Sequence, residues 1–238
     1  AVTRTLVESG AKVALIARNR RRLERLCARF PEEAETLVCS ADVSSAYDLV
    51  EARDKVLEEL GAPDLVITAA GVRRAANFDE AIPADWRRML ATNLRGTLQT
   101  VQTFSPDVLA AGERGDRADI VMLSSAPARE RQHAYSVFSS LGASLGQFSK
   151  HLRAEYGLCG VQVHYFDSIY TGGSFFTQGN LGSNRATSDH HDVIQGPLPE
   201  LESIAIDTAH VAEEVGFAAS LPAHVNMASA TILPLEGN

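Results

Sequence analysis

Asp64 to Gly71 reads DLVITAAG, and the fold follows from this stretch. Leu65 to Thr68 run without a charge and end in three small residues, Ala69, Ala70 and Gly71. A run so short and apolar fits a strand buried on both faces, as in parallel sheets covered by helices on each side. Working outward, similar runs recur at Val13–Ala17 (VALIA), Thr36–Cys39, Asp119–Ser124 (DIVMLS), Val161–Phe166 and Ser229–Leu233.

Helical patterns fill the intervals. Val2 to Ser9 reads as the end of an amphipathic helix stopped by Gly10. A charged helix is predicted over Arg21–Phe30, with Leu23 and Leu26 inward and Pro31 ending it. Further helices are predicted over Ser44–Leu60, with Ser44 or Ser45 as the N-cap, around Trp86–Leu109, over Ser136–Tyr156 and over Asp207–Ser220. Strands alternating with such helices imply an α/β fold: a doubly wound parallel sheet in one domain over residues 1–238, with its site at the carboxyl ends of the strands. Residues 168–203 are rich in Gly, Ser, Asn and His and lack periodicity, so they read as a loop or lid.

The composition narrows the function. Of 238 residues, 45% are hydrophobic and 22% charged, which excludes a disordered or fibrous chain. The formal net charge of −8 disfavours nucleic acid and anionic lipid as partners. No apolar run approaches the ~20 residues of a membrane span, and no charged-then-apolar leader is evident. Cys27, Cys39 and Cys159 are odd in number and widely spaced, so a reducing, cytoplasmic location is expected.

Taken in order, the segments at the strand ends resemble the short-chain dehydrogenase/reductase (SDR) family. Ala17-Arg18-Asn19 resembles the family segment on the adenosine ribose, and Ala41-Asp42-Val43 its adenine-contacting pair. Thr68-Ala69-Ala70-Gly71 stands where the family has N-N-A-G. Asn93 in TNLRG looks like its catalytic-site asparagine, and Ser124-Ser125 like the segment with its catalytic serine, at Ser125. Leu221-Pro222 with His224-Val225 is similar to the ending of one branch. The resemblance implies a Rossmann-type sheet, a small carbonyl or alcohol substrate, and homo- or hetero-oligomers with other SDR subunits. It also implies a nicotinamide cofactor held by Arg18, Asn19, Asp42, Val43, Ala70 and Gly71. Charge points to NADP(H): an acidic residue after the second strand of this fold repels a 2′-phosphate, whereas Arg18 suits one. Arg20, Arg21 and Arg22 serve either that phosphate or simply the solvated start of a helix.

Three departures bear on the chemistry. The family's first strand and its glycine-rich turn would precede Ala1, so an incomplete sequence is expected. Thirteen residues after Ser125, where the family has its tyrosine, stands Phe138, and the lysine position four later is Gly142. The following Leu152-Arg153-Ala154-Glu155 matches the family's L-R-A-E and holds this register. A phenyl ring has no proton to give, and glycine supplies no charge. Tyr135 is the substitute acid to test, three residues earlier, about 4.5 Å along a helix and turned by about 60°. After the fifth strand, Ser168-Ile169 and Gly173 replace the family's P-G and threonine. Hydride transfer by this chain alone is therefore doubtful. The alternatives are a non-catalytic subunit beside an active homologue, and a non-redox enzyme reusing the pocket. No metal site is expected: Asp189-His190-His191-Asp192 is a weak candidate for a closed ligand set. Phe175-Phe176 is a candidate cover for an apolar substrate.

Overall fold

The computed structural model describes residues 1–124, 134–168, 171–172 and 206–233. The described strands are β1 (Val13–Ala17), β2 (Thr36–Ser40), β3 (Leu65–Thr68), β4 (Ala118–Ser124), β5 (Val161–Ser168), β6 (Thr171–Gly172), β7 (Ile206–Asp207) and β8 (Ser229–Ile232). The α-helices are α1 (Val2–Glu8), α2 (Arg20–Cys27), α3 (Ala46–Glu59), α4 (Pro83–Met89), α5 (Gly96–Glu113), α6 (Ser136–Tyr156) and α7 (Thr208–Ser220). β1 pairs with β2, and β3-β4-β5-β8 form a four-stranded sheet. Every neighbouring pair is parallel, with Ile67 opposite Val121 and Val121 opposite His164.

Alternate residues of the strands bury opposite faces. Ile120 and Met122 of β4 meet Val101, Phe104 and Val108 of α5 and Leu152 of α6. Val121 and Phe166 meet Val215 and Ala218 of α7 on the other side, with Val2 of α1 against them. This two-sided burial is why the strands read as unbroken apolar runs. Ile16 of β1 packs against both the core around Val66 and the core around Leu37 and Val56.

Boundaries differ from the sequence reading in two informative places. α2 ends at Cys27, because Arg29 and Phe30 bond the carbonyls three residues back in turns before Pro31. β5 continues past the apolar run through Asp167 and Ser168, which pair with Thr231 and Ile232 of β8. The ladder, not hydrophobicity, carries those two residues. Ser45 is the N-cap of α3, its hydroxyl accepting the Asp48 N–H at 3.2 Å.

A π-helical turn, Leu90–Arg95, joins α4 to α5, with the Gly96 N–H bonded to the Ala91 carbonyl five residues back. Such turns widen a helix locally and recur at functional sites. Gly96 follows at a close approach: a Cβ there would lie 2.7 Å from Cγ2 of Val43. Gly112 of α5 has the same role against the turn over Gly157–Cys159, since its Cβ would collide with the Cys159 carbonyl.

A polar cluster is buried where β4 begins. Arg117 grips Asp119 with two hydrogen bonds, Nε to Oδ2 at 2.6 Å and Nη2 to Oδ1 at 2.7 Å. The same guanidinium donates to the Ala218 carbonyl at 2.6 Å and to the Leu221 carbonyl. His164 lies with Nε2 2.8 Å from Asp119 Oδ1, while its Nδ1 donates to the Met227 carbonyl at 2.8 Å. Asp119 is 2% exposed and His164 wholly buried. Gln162, Asn226 and Arg153 add bonds that fasten the segment from Leu221 to Ala228 onto β5.

Candidate active site

The carboxyl ends of β3, β4 and β5 open into a cavity of about 320 Å³. Ala69, Ala70 and Gly71 line it after β3, Leu123 and Ser124 at the end of β4, and Ser168 at the end of β5. Phe138, Leu141, Gly142 and Leu145 of α6 form one wall, and Thr208 and Val211 of α7 another. Ala1 and Val2, with Asn93 and Thr97, complete it. No lining residue among those described carries a titratable side chain. The volume suits a small molecule.

Asn93 is 8% exposed and sits in the π-turn. Its amide closes on the backbone of Val72 from both sides: Oδ1 accepts the Val72 N–H at 2.8 Å, and Nδ2 donates to the Val72 carbonyl at 2.8 Å. Its own carbonyl accepts the Thr97 hydroxyl at 2.8 Å. Asn93 thereby fixes the segment leaving Ala70-Gly71, and its Oδ1 lies 3.7 Å from where a Cβ on Gly71 would stand.

Phe138 and Gly142 both face the cavity, one helical turn apart, and Phe138 is 5% exposed. Tyr135, at the start of α6, is not among the lining residues. Its ring meets Phe138 edge-on at 6.4 Å between centroids. The Arg73 guanidinium lies 4.5 Å over the Tyr135 ring and donates to its hydroxyl at 3.1 Å. Ser125 lies outside the described residues, as do Ile169, Gly173, Phe175-Phe176, Asp189 to Asp192 and most of the stretch read as a lid.

The structure brings the remaining candidates to the same edge. Arg18 follows β1, and its guanidinium lies 3.8 Å from Asp42, which follows β2. The Ser44 hydroxyl and N–H, donating to Asp42 Oδ1 at 2.7 and 2.9 Å, hold that carboxyl below its ordinary range, with Arg18 adding to the effect. Asn19 caps α2, its Oδ1 accepting the Arg22 N–H at 3.0 Å. Arg20 pairs with Glu24 at 2.8 Å, so it is engaged on its own helix. Val43 packs on Gly96.

Sequence reasoning missed Tyr165. From β5 its ring lies against α6, where a Cβ on Gly146 would be 3.5 Å from Cε1. Its hydroxyl donates to the Gly142 carbonyl at 3.0 Å. Burial first, then the Asp167 carboxylate, push this phenol up to about 12. The two glycines at 142 and 146, four apart on one helix face, were the available signal.

Among the described residues no helix is long and apolar enough to cross a membrane. No three His, Cys, Asp or Glu among them are grouped to hold a metal ion. An uncharacterized oxidoreductase of Staphylococcus epidermidis is 23% identical over 239 residues, covering 99% of this chain and 91% of that protein. One from Staphylococcus aureus is 25% identical over 237 residues with the same coverage. An archaeal alcohol dehydrogenase from Thermococcus sibiricus, complexed with 5-hydroxy-NADP, superposes with a TM-score of 0.82 at 20% identity, over 100% of this chain and 92% of that one. The 3-ketoacyl-(acyl-carrier-protein) reductase of Brucella melitensis, complexed with NADH, gives 0.83 at 17% identity, over 98% and 90%. These superpositions show a Rossmann-like fold. The short chain dehydrogenase model matches residues 1–178, and the chain belongs to that family.

Proposed function

We propose that this chain is an oxidoreductase by lineage that binds NADP(H) but lacks the family's proton donor, so that it does not turn over a carbonyl or alcohol efficiently by itself. One observation carries the reading. Two cavity-facing positions on α6, a turn apart, where the family resemblance places the tyrosine and lysine, hold a phenyl ring and a bare glycine, Phe138 and Gly142. Reduction of a carbonyl needs a proton at the oxygen as hydride reaches the carbon, and neither residue has one. A positioned acid contributes about 10²–10⁴-fold in rate.

For the dinucleotide, Arg18 and Asn19 after β1, Asp42 and Val43 after β2, and Ala70 and Gly71 after β3 would hold the adenosine end and its pyrophosphate. The bound cofactor would supply the hydride. The Arg18 fork, only loosely paired with Asp42, suits a 2′-phosphate. The partner reading is favoured by the outer face of α6. There Ser140 and Ser144 turn their hydroxyls back onto the carbonyls of Ser136 and Ser140, leaving a low surface beside exposed Ala143 for a second SDR subunit to approach.

Calorimetric titration with NADPH and NADH, followed by a panel of aldehydes and ketones, tests the proposal. Tighter binding of NADPH with negligible turnover is expected, and Phe138→Tyr with Gly142→Lys should raise turnover by about 10²-fold or more. Binding of neither dinucleotide overturns the cofactor assignment. Family-like rates in the unmodified protein overturn the loss of the acid.

A further inference from the structure

The described lining of the cavity holds two glycines, Gly71 and Gly142, where no side chain fronts the wall. What stands behind each of them decides where the cavity stops. Behind Gly71 is the Asn93 amide, whose Oδ1 lies 3.7 Å from where a Cβ would be. Behind Gly142 is Tyr165, which is not among the lining residues and whose hydroxyl donates to the Gly142 carbonyl at 3.0 Å. The ring is held as firmly as the hydroxyl. It rests on α6 at Gly146, where a Cβ would stand 3.5 Å from Cε1 and 3.6 Å from Cζ, and it packs on the core around Val163 and Leu152. A phenol gripped in this way is a fixed plug and not a swinging gate.

We propose that Tyr165 is the specificity-determining residue that sets the depth of the cavity: its ring closes the space beyond Gly142, so that the site takes a compact cyclic carbonyl or alcohol and rejects a larger one. This rests on the reading of the cavity as the ligand cleft, and it adds the size class of the ligand, which Phe138 and Gly142 leave undetermined. An apolar space of about 150 Å³ is enough to hold benzene. The cavity, at about 320 Å³, therefore suits a ring of that size with room for a substituent, and it is too small for a saturated macrocycle. Removing the Tyr165 ring vacates roughly one further benzene's worth of space, with only the Gly142 backbone in between. The hydroxyl fixes the ring in place, and the bulk of the ring does the excluding, because a close-packed interior cannot absorb extra atoms without strain.

Cyclohexanone and cyclododecanone, which share one functional group and differ in ring size, are the probes, with binding followed by NMR shifts of the Leu123, Leu141 and Leu145 methyls. Apolar surface alone favours the larger ketone. The expected result for the unmodified protein is the reverse, with cyclohexanone bound at least as tightly. Tyr165→Ala should shift the ratio of the two affinities by about tenfold or more toward cyclododecanone, as several further methylenes become buried. Tyr165→Leu should shift it in the same direction, and it decides the matter if the alanine variant does not fold. Tyr165→Phe, which keeps the ring and loses only the bond, should leave the ratio close to that of the unmodified protein. Tyr156→Ala, which truncates an aromatic residue bonded to Ser105 away from the cavity, should leave it unchanged. A ratio that already favours cyclododecanone, one untouched by Tyr165→Ala and Tyr165→Leu, or one moved as far by Tyr165→Phe or Tyr156→Ala overturns the proposal and leaves the cleft reading intact. Binding of neither ketone overturns the cleft reading and the proposal with it. NADPH affinity in the absence of these probes reports on the cofactor reading separately.

Discussion

The two ends of β4 and β5 are built from opposite materials. Near their amino ends, Arg117, Asp119 and His164 form a cluster of charged and ionisable groups in which Asp119 and His164 are buried and Arg117 is partly exposed. At their carboxyl ends, Ser124 and Ser168 face a cavity whose described lining has no ionisable side chain. Buried charge among the described residues fastens one part to another, while the described lining of the cleft carries no charged side chain. A group with a strongly perturbed proton affinity ordinarily marks a functional site. Here Tyr165 is such a group, and its hydroxyl is bonded to the carbonyl of Gly142, which lines the cavity.

The contrast breaks most directly at Asp119. Replacing it by alanine strands a guanidinium and an imidazole in the interior, and the expected loss is about 3–5 kcal/mol in chemical denaturation, with the cavity chemically unchanged. A loss below about 1 kcal/mol would mean that the cluster is not a coupled unit. At the other end, Asn93→Ala removes both bonds to the Val72 backbone, for an expected cost of about 1–3 kcal/mol. Because Asn93 sets the segment leaving Gly71, NADPH affinity should fall as well. Stability lost with affinity intact would show that Asn93 supports the fold without shaping the cleft.

A further effect, confined to alkaline solution, is a pH dependence. The folded chain holds the Tyr165 phenol near 12, above the value near 10 of an unfolded tyrosine. The unfolded state therefore releases its proton first as pH rises. The associated stability is complete below pH 10 and is lost between 10 and 12, on the order of 2–3 kcal/mol. Tyr165→Phe should flatten that part of the stability profile; an unchanged slope would place the alkaline loss elsewhere.

Much of this architecture was legible because it is local. VALIA, DIVMLS and LVIT read as doubly buried strands, since the physics of a covered parallel sheet writes itself into consecutive residues. The cap of α3 is legible to within one residue, as Ser44 or Ser45, for the same reason. The π-turn is not, because nothing in Leu90 to Arg95 forbids an ordinary α-helix, and the extra residue follows from how α4 and α5 pack. Tyr165 reads in sequence as one more strand residue. Its meaning lies in Gly142 and Gly146, more than fifteen positions away. Asp119 and His164 are likewise joined only by the register of β4 and β5. The placement of Phe138 and Gly142 on the cavity wall was legible, since motif spacing along one helix is again a local property.

Arg117 has an effect that reaches beyond its own surroundings. Helix α7 ends without a left-handed residue at its C-cap, Leu221, so its last carbonyls are met by the Arg117 guanidinium instead. The opposite tip of that helix, Thr208 and Val211, forms a wall of the cavity. Thirteen residues of rigid rod, about 20 Å, thus connect an anchor to a wall. A tilt of the rod at its anchored foot would displace the wall at its other end, so a change at Arg117 has a direct mechanical route to the cleft.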